Sequence, residues 1–207
     1  MRYMNLESLG ISSFDISGII HIGAHYGEEI ELYKSLYVSR VLLFEPLSIP
    51  FKILKSKKFG TCINKALGNF EGTITMNVSS IHDASSSILF PKIHLDQYPD
   101  TPFDRVETVQ ITTLDRFFED NLFAQPFNLL NIDVQGYELE VFKGACNTLK
   151  NDIRFIFCEV NRDELYDKCA LIEDIDSYLY SFGFVRKEVS WRGVIWGDAF
   201  YKKCDES

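Results

Sequence analysis

The chain has 207 residues, 46% hydrophobic and 25% charged, with a formal net charge of −9. That length suits one domain with a substantial core, expected to take in residues 1–207, and no apolar run approaches the roughly 18 residues of a membrane span. The acidic balance speaks against a nucleic-acid partner, whose phosphates are bound through Lys and Arg. The five scattered cysteines, without a C-x-x-C pair, indicate neither a disulfide framework nor a zinc site.

The first residues lack the apolar stretch and small-residue cleavage site of an export signal, so a cytoplasmic location is expected. Ile19–Ile22 reads as a buried strand and 28–36 as a helix, with Ile30, Tyr33, Leu36 and Tyr37 at helical spacing. Val41–Phe44 is a second buried strand. Pro46 and Pro50 punctuate the start of a helix through Phe51, Ile53 and Leu54, followed by a third strand over 62–67. The turn 68–72 leads into an alternating edge strand over 73–78, after which periodicity lapses across 79–105. An excursion of that length inside a compact domain is expected to bind substrate or act as a lid. A strand over 106–112, a short helix from Leu114 capped by Thr113, and an apolar strand over 127–132 follow. A single amphipathic helix is expected over 139–149, a strand over 155–158, and a helix over 172–182 closed by Gly183. The tail reads as two strands joined by a turn at 191–197. Strands alternating with helices imply a parallel sheet, and the last two strands an antiparallel hairpin at its edge.

The chemistry concentrates where strands end. Gly23 and Gly27 bracket a turn between the first strand and the first helix, and Glu45 stands 24 positions after His21, at the tip of the second strand. Glycines let a backbone approach a nucleoside, and an acid at that place grips ribose hydroxyls. The third glycine of a dinucleotide fingerprint is missing, which favours a ligand without pyrophosphate, such as S-adenosylmethionine. Asp133 and Glu159 follow the fourth and fifth apolar strands, so one sheet brings Glu45, Asp133 and Glu159 to the same rim.

Two chemistries fit this rim. Asp133 or Glu159 could orient an acceptor or take its proton during methyl transfer; alternatively, both could share a divalent cation, the less favoured reading. His25 is either a proton acceptor in the pocket or a hydrogen-bonded spacer. His21 reads as structural. His82 and His94 flank the irregular segment, and Trp191 and Trp196 could wall a sugar ring or simply pack.

The stretch from Asn131 to Ala145, containing Asp133-Val134-Gln135-Gly136-Tyr137-Glu138, resembles the signature of the FkbM family of S-adenosylmethionine-dependent methyltransferases. His21 to Gly27 resembles that family's first cofactor motif, Phe44-Glu45-Pro46 its ribose-binding strand end, and Asn64-Lys65-Ala66-Leu67-Gly68 its adenine-side segment. The resemblance implies a Rossmann-like class I methyltransferase fold, with a mostly parallel seven-stranded sheet, helices on both faces and an antiparallel C-terminal hairpin. It implies that Gly23, Ala24, His25, Gly27, Glu45, Pro46, Asn64, Ala66, Asp133 and Val134 bind S-adenosylmethionine. Asp133, with Glu138, Glu159 and His25, would serve the reacting centre. It departs from the family at His21, where an acid is usual, and at Gln135, where Glu is more frequent. The activity expected is O-methylation of a sugar hydroxyl on a glycan, glycolipid or natural-product precursor, without a metal. A non-catalytic nucleoside-binding module and a nicotinamide-dependent oxidoreductase are the competing readings, the latter opposed by the absence of a Tyr-x-x-x-Lys pair.

Overall fold

The computed structural model describes residues 6–123 and 127–204. In chain order its elements are β1 (Ile19–Ile22), α1 (Ile30–Ser35), β2 (Val41–Phe44), α2 (Ser48–Ser56), β3 (Thr61–Ile63), β4 (Ala66–Leu67), β5 (Gly72–Val78), α3 (Ile93–Gln97), β6 (Arg105–Thr112), α4 (Leu114–Asp120), β7 (Leu129–Ile132), α5 (Glu138–Lys143), α6 (Cys146–Asn151), β8 (Phe155–Asn161), α7 (Ile172–Tyr180), β9 (Phe184–Trp191) and β10 (Trp196–Lys203).

Seven strands form the main sheet in the order β3-β2-β1-β7-β8-β10-β9. The first five are parallel, and β10 runs antiparallel to both β8 and β9. Strand order reverses between β1 and β7, and the crevice at such a reversal is where open α/β sheets bind ligands.

Alternation along the strands supplies two cores. Ile20, Ile22, Leu42, Leu130, Ile132 and Ile156 pack on one face with α5, α6 and α7 through Val141, Phe142, Leu149, Ile175 and Leu179. Ile19, Leu43, Leu129, Phe157 and Phe200 pack on the other with Ile30 and Tyr33 of α1 and Leu54 of α2. The central strands β1, β2, β7 and β8 are mostly apolar because both faces are covered, with His21, Asn131, Glu159 and Asn161 as buried polar exceptions. No helix among the described residues is long and apolar enough to cross a membrane.

Two expected elements are divided. The strand over 62–67 splits: β3 pairs with β2, whereas β4 leaves the main sheet to pair with β6 in a second, three-stranded sheet of order β4-β6-β5. The helix over 139–149 breaks at Gly144 and Ala145, where the chain passes so close to Gly68 that a Cβ on Gly144 would lie 1.9 Å from the Gly68 oxygen. Asp115 then restarts the helix, its carboxylate accepting from the N–H groups of Asn147 (2.8 Å) and Thr148 (2.9 Å). Thr113 caps α4 as expected, accepting from Arg116 N–H at 3.0 Å. The excursion 79–105 is largely irregular but contains a 3₁₀ turn at Asp83–Ser85 and helix α3.

Candidate active site

One line of register crosses the sheet from Phe44 through Ile22 and Ile132 to Cys158. The next residues in their strands are Glu45, Gly23, Asp133 and Glu159, which therefore share the rim. Glu159 lies inside β8 instead of beyond it, because β10 continues to pair with that strand and sets Asp198 opposite Glu159.

The turn after β1 is tied to β2. Gly23 and Ala24 donate their N–H groups to Phe44 O at 3.0 and 2.9 Å, and His25 N–H donates to Glu45 Oε2 at 2.8 Å. These amides are thus occupied within the protein. A Cβ on Gly23, whose φ is 81°, would lie 1.8 Å from Asp133 O. The other carboxylate oxygen of Glu45 accepts from Leu47 N–H at 2.8 Å. Burial raises the Glu45 pKa to about 7, against these two backbone bonds and the His25 charge.

His25 lies between two acids, with Nδ1 2.8 Å from Glu28 Oε1 and Nε2 2.9 Å from Asp83 Oδ1. Burial opposes the imidazolium, but these hydrogen bonds and charges prevail and lift its pKa to about 9. Tyr26 OH also donates to Asp83, so two side chains of the glycine turn grip the excursion.

The turn after β7 is held from beneath. Glu138 Oε1 accepts from Val134 N–H (2.9 Å) and Gly136 N–H (3.2 Å), while Oε2 is buried and meets no hydrogen-bonding group among the described residues. Burial pushes the Glu138 pKa to about 7. Gln135 and Gly136 both have positive φ, 56° and 95°, a bend that carries the Gln135 side chain to the acids. Gln135 Nε2 donates to Asp133 Oδ1 at 2.7 Å and to both oxygens of Glu159 at 3.2 Å. Tyr166 OH lies 2.7 Å from Gln135 Oε1 and 2.8 Å from Ser85 O, so its one proton is shared between two acceptors, and the Asp133 carboxylate is what calls for the amide NH₂ on its side.

Asp133 opens onto solvent in the cleft, yet the surrounding protein and the Asp198 charge raise its pKa to about 6 despite the Gln135 bond. Glu159 is buried and pushed much higher, by desolvation first and then by Asp133, Glu138 and Asp198. Asp133, Glu138 and Glu159 each offer an oxygen within 4.8 Å of the others, a donor set suited to a hard cation.

Two cavities meet here. A narrow slot of about 60 Å³ is lined by Glu45, Pro46, Leu47, Ala66, Met76 and Val134 together with Asp83, Ala84, Ser86 and Ile88 of the excursion. A cleft of about 510 Å³ opens beside it, lined by His21, Asn131, Asp133, Glu159 and Asp198 together with His94, Tyr98 and Trp196. Gly23, His25, Ala84, Asp133 and Gln135 line both.

The structure therefore brings together Gly23, His25, Glu45, Pro46, Ala66, Asp133, Val134 and Glu159. Ala24 and Gly27 lie outside both linings, Gly27 packing against Ile30 and Leu54. Asn64 braces the rim from behind, its Nδ2 donating to the carbonyls of Glu45 and Pro46 at 2.9 Å each. Glu138, expected at the reacting centre, is turned under the chain by its bonds to Val134 and Gly136 and lines neither cavity. His82 reaches the cleft, and Trp196 walls it while donating to Tyr98 OH at 2.8 Å; Trp191 instead stacks on the Arg162 guanidinium. Asp83 and Tyr166, which carry no local motif, enter the site only through contacts distant in sequence.

A reversed parallel sheet with an acid-tipped second strand, a glycine turn and an antiparallel terminal hairpin defines the class I methyltransferase fold. Residues 21–186 match the methyltransferase FkbM domain, and the chain belongs to that family. Among solved structures, a methyltransferase FkbM from Methylobacillus flagellatus aligns over 97% of this chain and 46% of its own, at 15% identity and a TM-score of 0.63. This chain thus spans about half the length of that relative. A Listeria monocytogenes protein proposed to be an S-adenosylmethionine-dependent methyltransferase aligns over 97% of this chain and 98% of its own, at 10% identity and a TM-score of 0.54. Magnesium protoporphyrin IX methyltransferase of Synechocystis, solved with S-adenosylmethionine bound, aligns over 90% and 69% at 9% identity and a TM-score of 0.50. No curated protein matches the chain in sequence.

Proposed function

We propose that the chain is an S-adenosylmethionine-dependent O-methyltransferase whose acceptor is a sugar hydroxyl of a glycan, glycolipid or natural-product precursor. The observation that carries the reading is the junction of slot and cleft at Gly23, His25, Asp133 and Gln135, with two carboxylates beside it. In this reading Glu45 holds the ribose, while Leu47, Ala66, Met76 and Val134 enclose the base. When bound, the donor supplies an electrophilic methyl group on a sulfonium. The chain's own part is to hold the acceptor oxygen near that methyl and to receive its proton.

Asp133 is the base of the proposal, being solvent-accessible and the more readily ionised of the pair. Glu159, pushed toward its neutral form by burial and by Asp133, Glu138 and Asp198, stands beside it and helps to position the acceptor. Gln135 Nε2 lies within hydrogen-bonding distance of both carboxylates, where a bridging cation would sit, and this favours transfer without a metal. Tyr98 and Trp196, which line the same cleft as the acids, suit a ring with an apolar face and hydroxyl edges. The excursion 79–105, which supplies walls of both cavities, is the lid over donor and acceptor.

Calorimetric titration with S-adenosylmethionine, S-adenosylhomocysteine and NAD tests the reading. Binding of the adenosyl ligands alone is expected. Tight NAD binding with no adenosyl binding would overturn it.

A further inference from the structure

His94 of α3 is only 3% exposed, its ring set among Tyr98, Phe103 and Tyr166 with centroids 4.9, 5.2 and 5.5 Å away. The backbone around it is anchored to the chain beyond β8, where Leu165 O accepts from the N–H groups of Lys92 at 3.0 Å and His94 at 3.1 Å. Packing therefore fixes the ring, yet no described residue hydrogen-bonds to it. Nδ1 is sealed from solvent without a partner; Nε2, also unbonded, is not sealed, and the residue lines the cleft. A buried polar group left unpaired costs free energy, so an apolar ring would suit that cage better unless a ligand completes it. Burial lowers the His94 pKa, which keeps the ring neutral with a single proton. A sealed N–H without an acceptor is a rarer orphan than a sealed lone pair, which places the proton on Nε2, the open nitrogen. Tyr98, four positions on, supplies a second donor to the same cleft. Its oxygen accepts from Trp196 Nε1 at 2.8 Å, and its own proton has no acceptor among the described residues.

We propose that His94, as an Nε2–H donor, and Tyr98, as an O–H donor, select the acceptor by binding two of its oxygens beside the hydroxyl that is methylated. The assignment rests on the acceptor reading of the cleft. With the reacting hydroxyl at Asp133, the rest of the acceptor lies in the cleft that His94 and Tyr98 line. Two neutral donors suit either hydroxyl oxygens or an anionic group, and the remaining lining decides between them. Glu28, Glu29, Asp133, Glu159 and Asp198 all belong to that cleft and oppose an anion. The His25 charge does not offset them, being engaged by Glu28 and Asp83. The acceptor class is thus a neutral sugar whose methylated hydroxyl is flanked by free ones, in preference to a uronic acid or a sugar phosphate.

The test titrates the full chain, saturated with S-adenosylhomocysteine, with methyl glucoside, methyl mannoside and methyl rhamnoside, and with the anionic methyl glucuronide. Long-range ¹⁵N–¹H spectra of the unmodified protein should show His94 protonated on Nε2, and at least one neutral glycoside should shift that signal. His94→Phe keeps an aromatic ring in the cage and removes both nitrogens. It should raise the Kd of the responding glycoside about fivefold, the scale of one neutral hydrogen bond, with S-adenosylhomocysteine affinity unchanged and no fall in melting temperature. His94→Gln, which can place an N–H near the Nε2 position, should restore most of the glycoside affinity. Tyr98→Phe should weaken glycoside binding by a similar factor. Protonation on Nδ1 overturns the assignment even if a variant fails to fold. A lower melting temperature with unchanged glycoside affinity makes His94 a wall residue and overturns it too, as does a glucuronide that binds more tightly than the neutral glycosides; sugar binding itself then stands. If S-adenosylhomocysteine binds but no neutral glycoside does, the sugar-acceptor reading and this assignment fall together.

Discussion

The two turns at the rim use the same device to different ends. After β1, a buried glutamate just beyond the next strand ties down His25, and also Leu47 beyond its own strand; after β7, a buried glutamate from the following helix ties down Val134 and Gly136. Burial raises both carboxyls to about 7. What separates them is access: Glu45 lines the slot, whereas Glu138 is sealed beneath its turn. In the proposed reading a backbone staple and a ligand-binding group are one carboxylate, and the open side of Glu45 is what separates it from Glu138.

The largest expected effect falls on neither staple but on the acid that the second one positions. Asp133→Asn should lower turnover by ~10²–10⁴-fold, the usual worth of a general base, with little change in S-adenosylhomocysteine affinity. A variant with full turnover would move the base to Glu159.

Exchanging the staples should then separate their roles. Glu138→Ala leaves two amide groups without their buried acceptor and opens a cavity, so a loss of about 2–5 kcal/mol in chemical denaturation is expected. Glu45→Ala should weaken S-adenosylhomocysteine binding by ~10- to 100-fold, with a smaller loss of stability. The reverse ranking would erase the distinction between them.

The raised carboxyl pKa values set a pH window as well. A carboxyl whose folded pKa lies above its unfolded value favours folding most when protonated; that contribution is complete below the unfolded value of 4.5 and is lost as pH rises through about 7. Glu138→Gln, which stays neutral, should therefore gain stability relative to the unmodified protein between those pH values. Its advantage above pH 7 should be on the order of 3 kcal/mol. Parallel stability curves across that range would mean that Glu138 is ionised without penalty.

How much of this is legible in the sequence depends on how local the cause is. Glu45, Asp133 and Glu159 can be found because each interrupts an apolar run, and the sheet register places them in one row. The ends of α4 and α7 are legible for the same reason, through Thr113 and Gly183. The break at Gly144 is hidden because its causes, Gly68 and Asp115, lie far along the chain. Gln135 reads as a weakened acid until its amide is seen to donate to Asp133 and Glu159, contacts that only the fold brings about. Glu138 fits a signature, but only the fold shows that its carboxylate turns inward.

The contact of the first turn with the excursion should give the smallest effect, and it tests whether the slot is a lidded site. A slot of about 60 Å³ is far below the ~300 Å³ at which ligand pockets begin, so in the proposed reading Asp83, Ala84 and Ser86 move outward to admit the nucleoside. His25 and Tyr26 hold Asp83 in place. Asp83→Asn weakens that hold and should raise both the association and dissociation rates of S-adenosylhomocysteine in stopped-flow measurements, leaving the equilibrium constant little altered. Its stability cost should be about 1 kcal/mol and pH-dependent. The folded pKa of His25, about 9, lies above the ordinary value of 6.5, so the contribution is full below 6.5 and disappears as pH rises through 9. Unchanged rates would leave the excursion a fixed wall, and donor entry would then have to come from the cleft side.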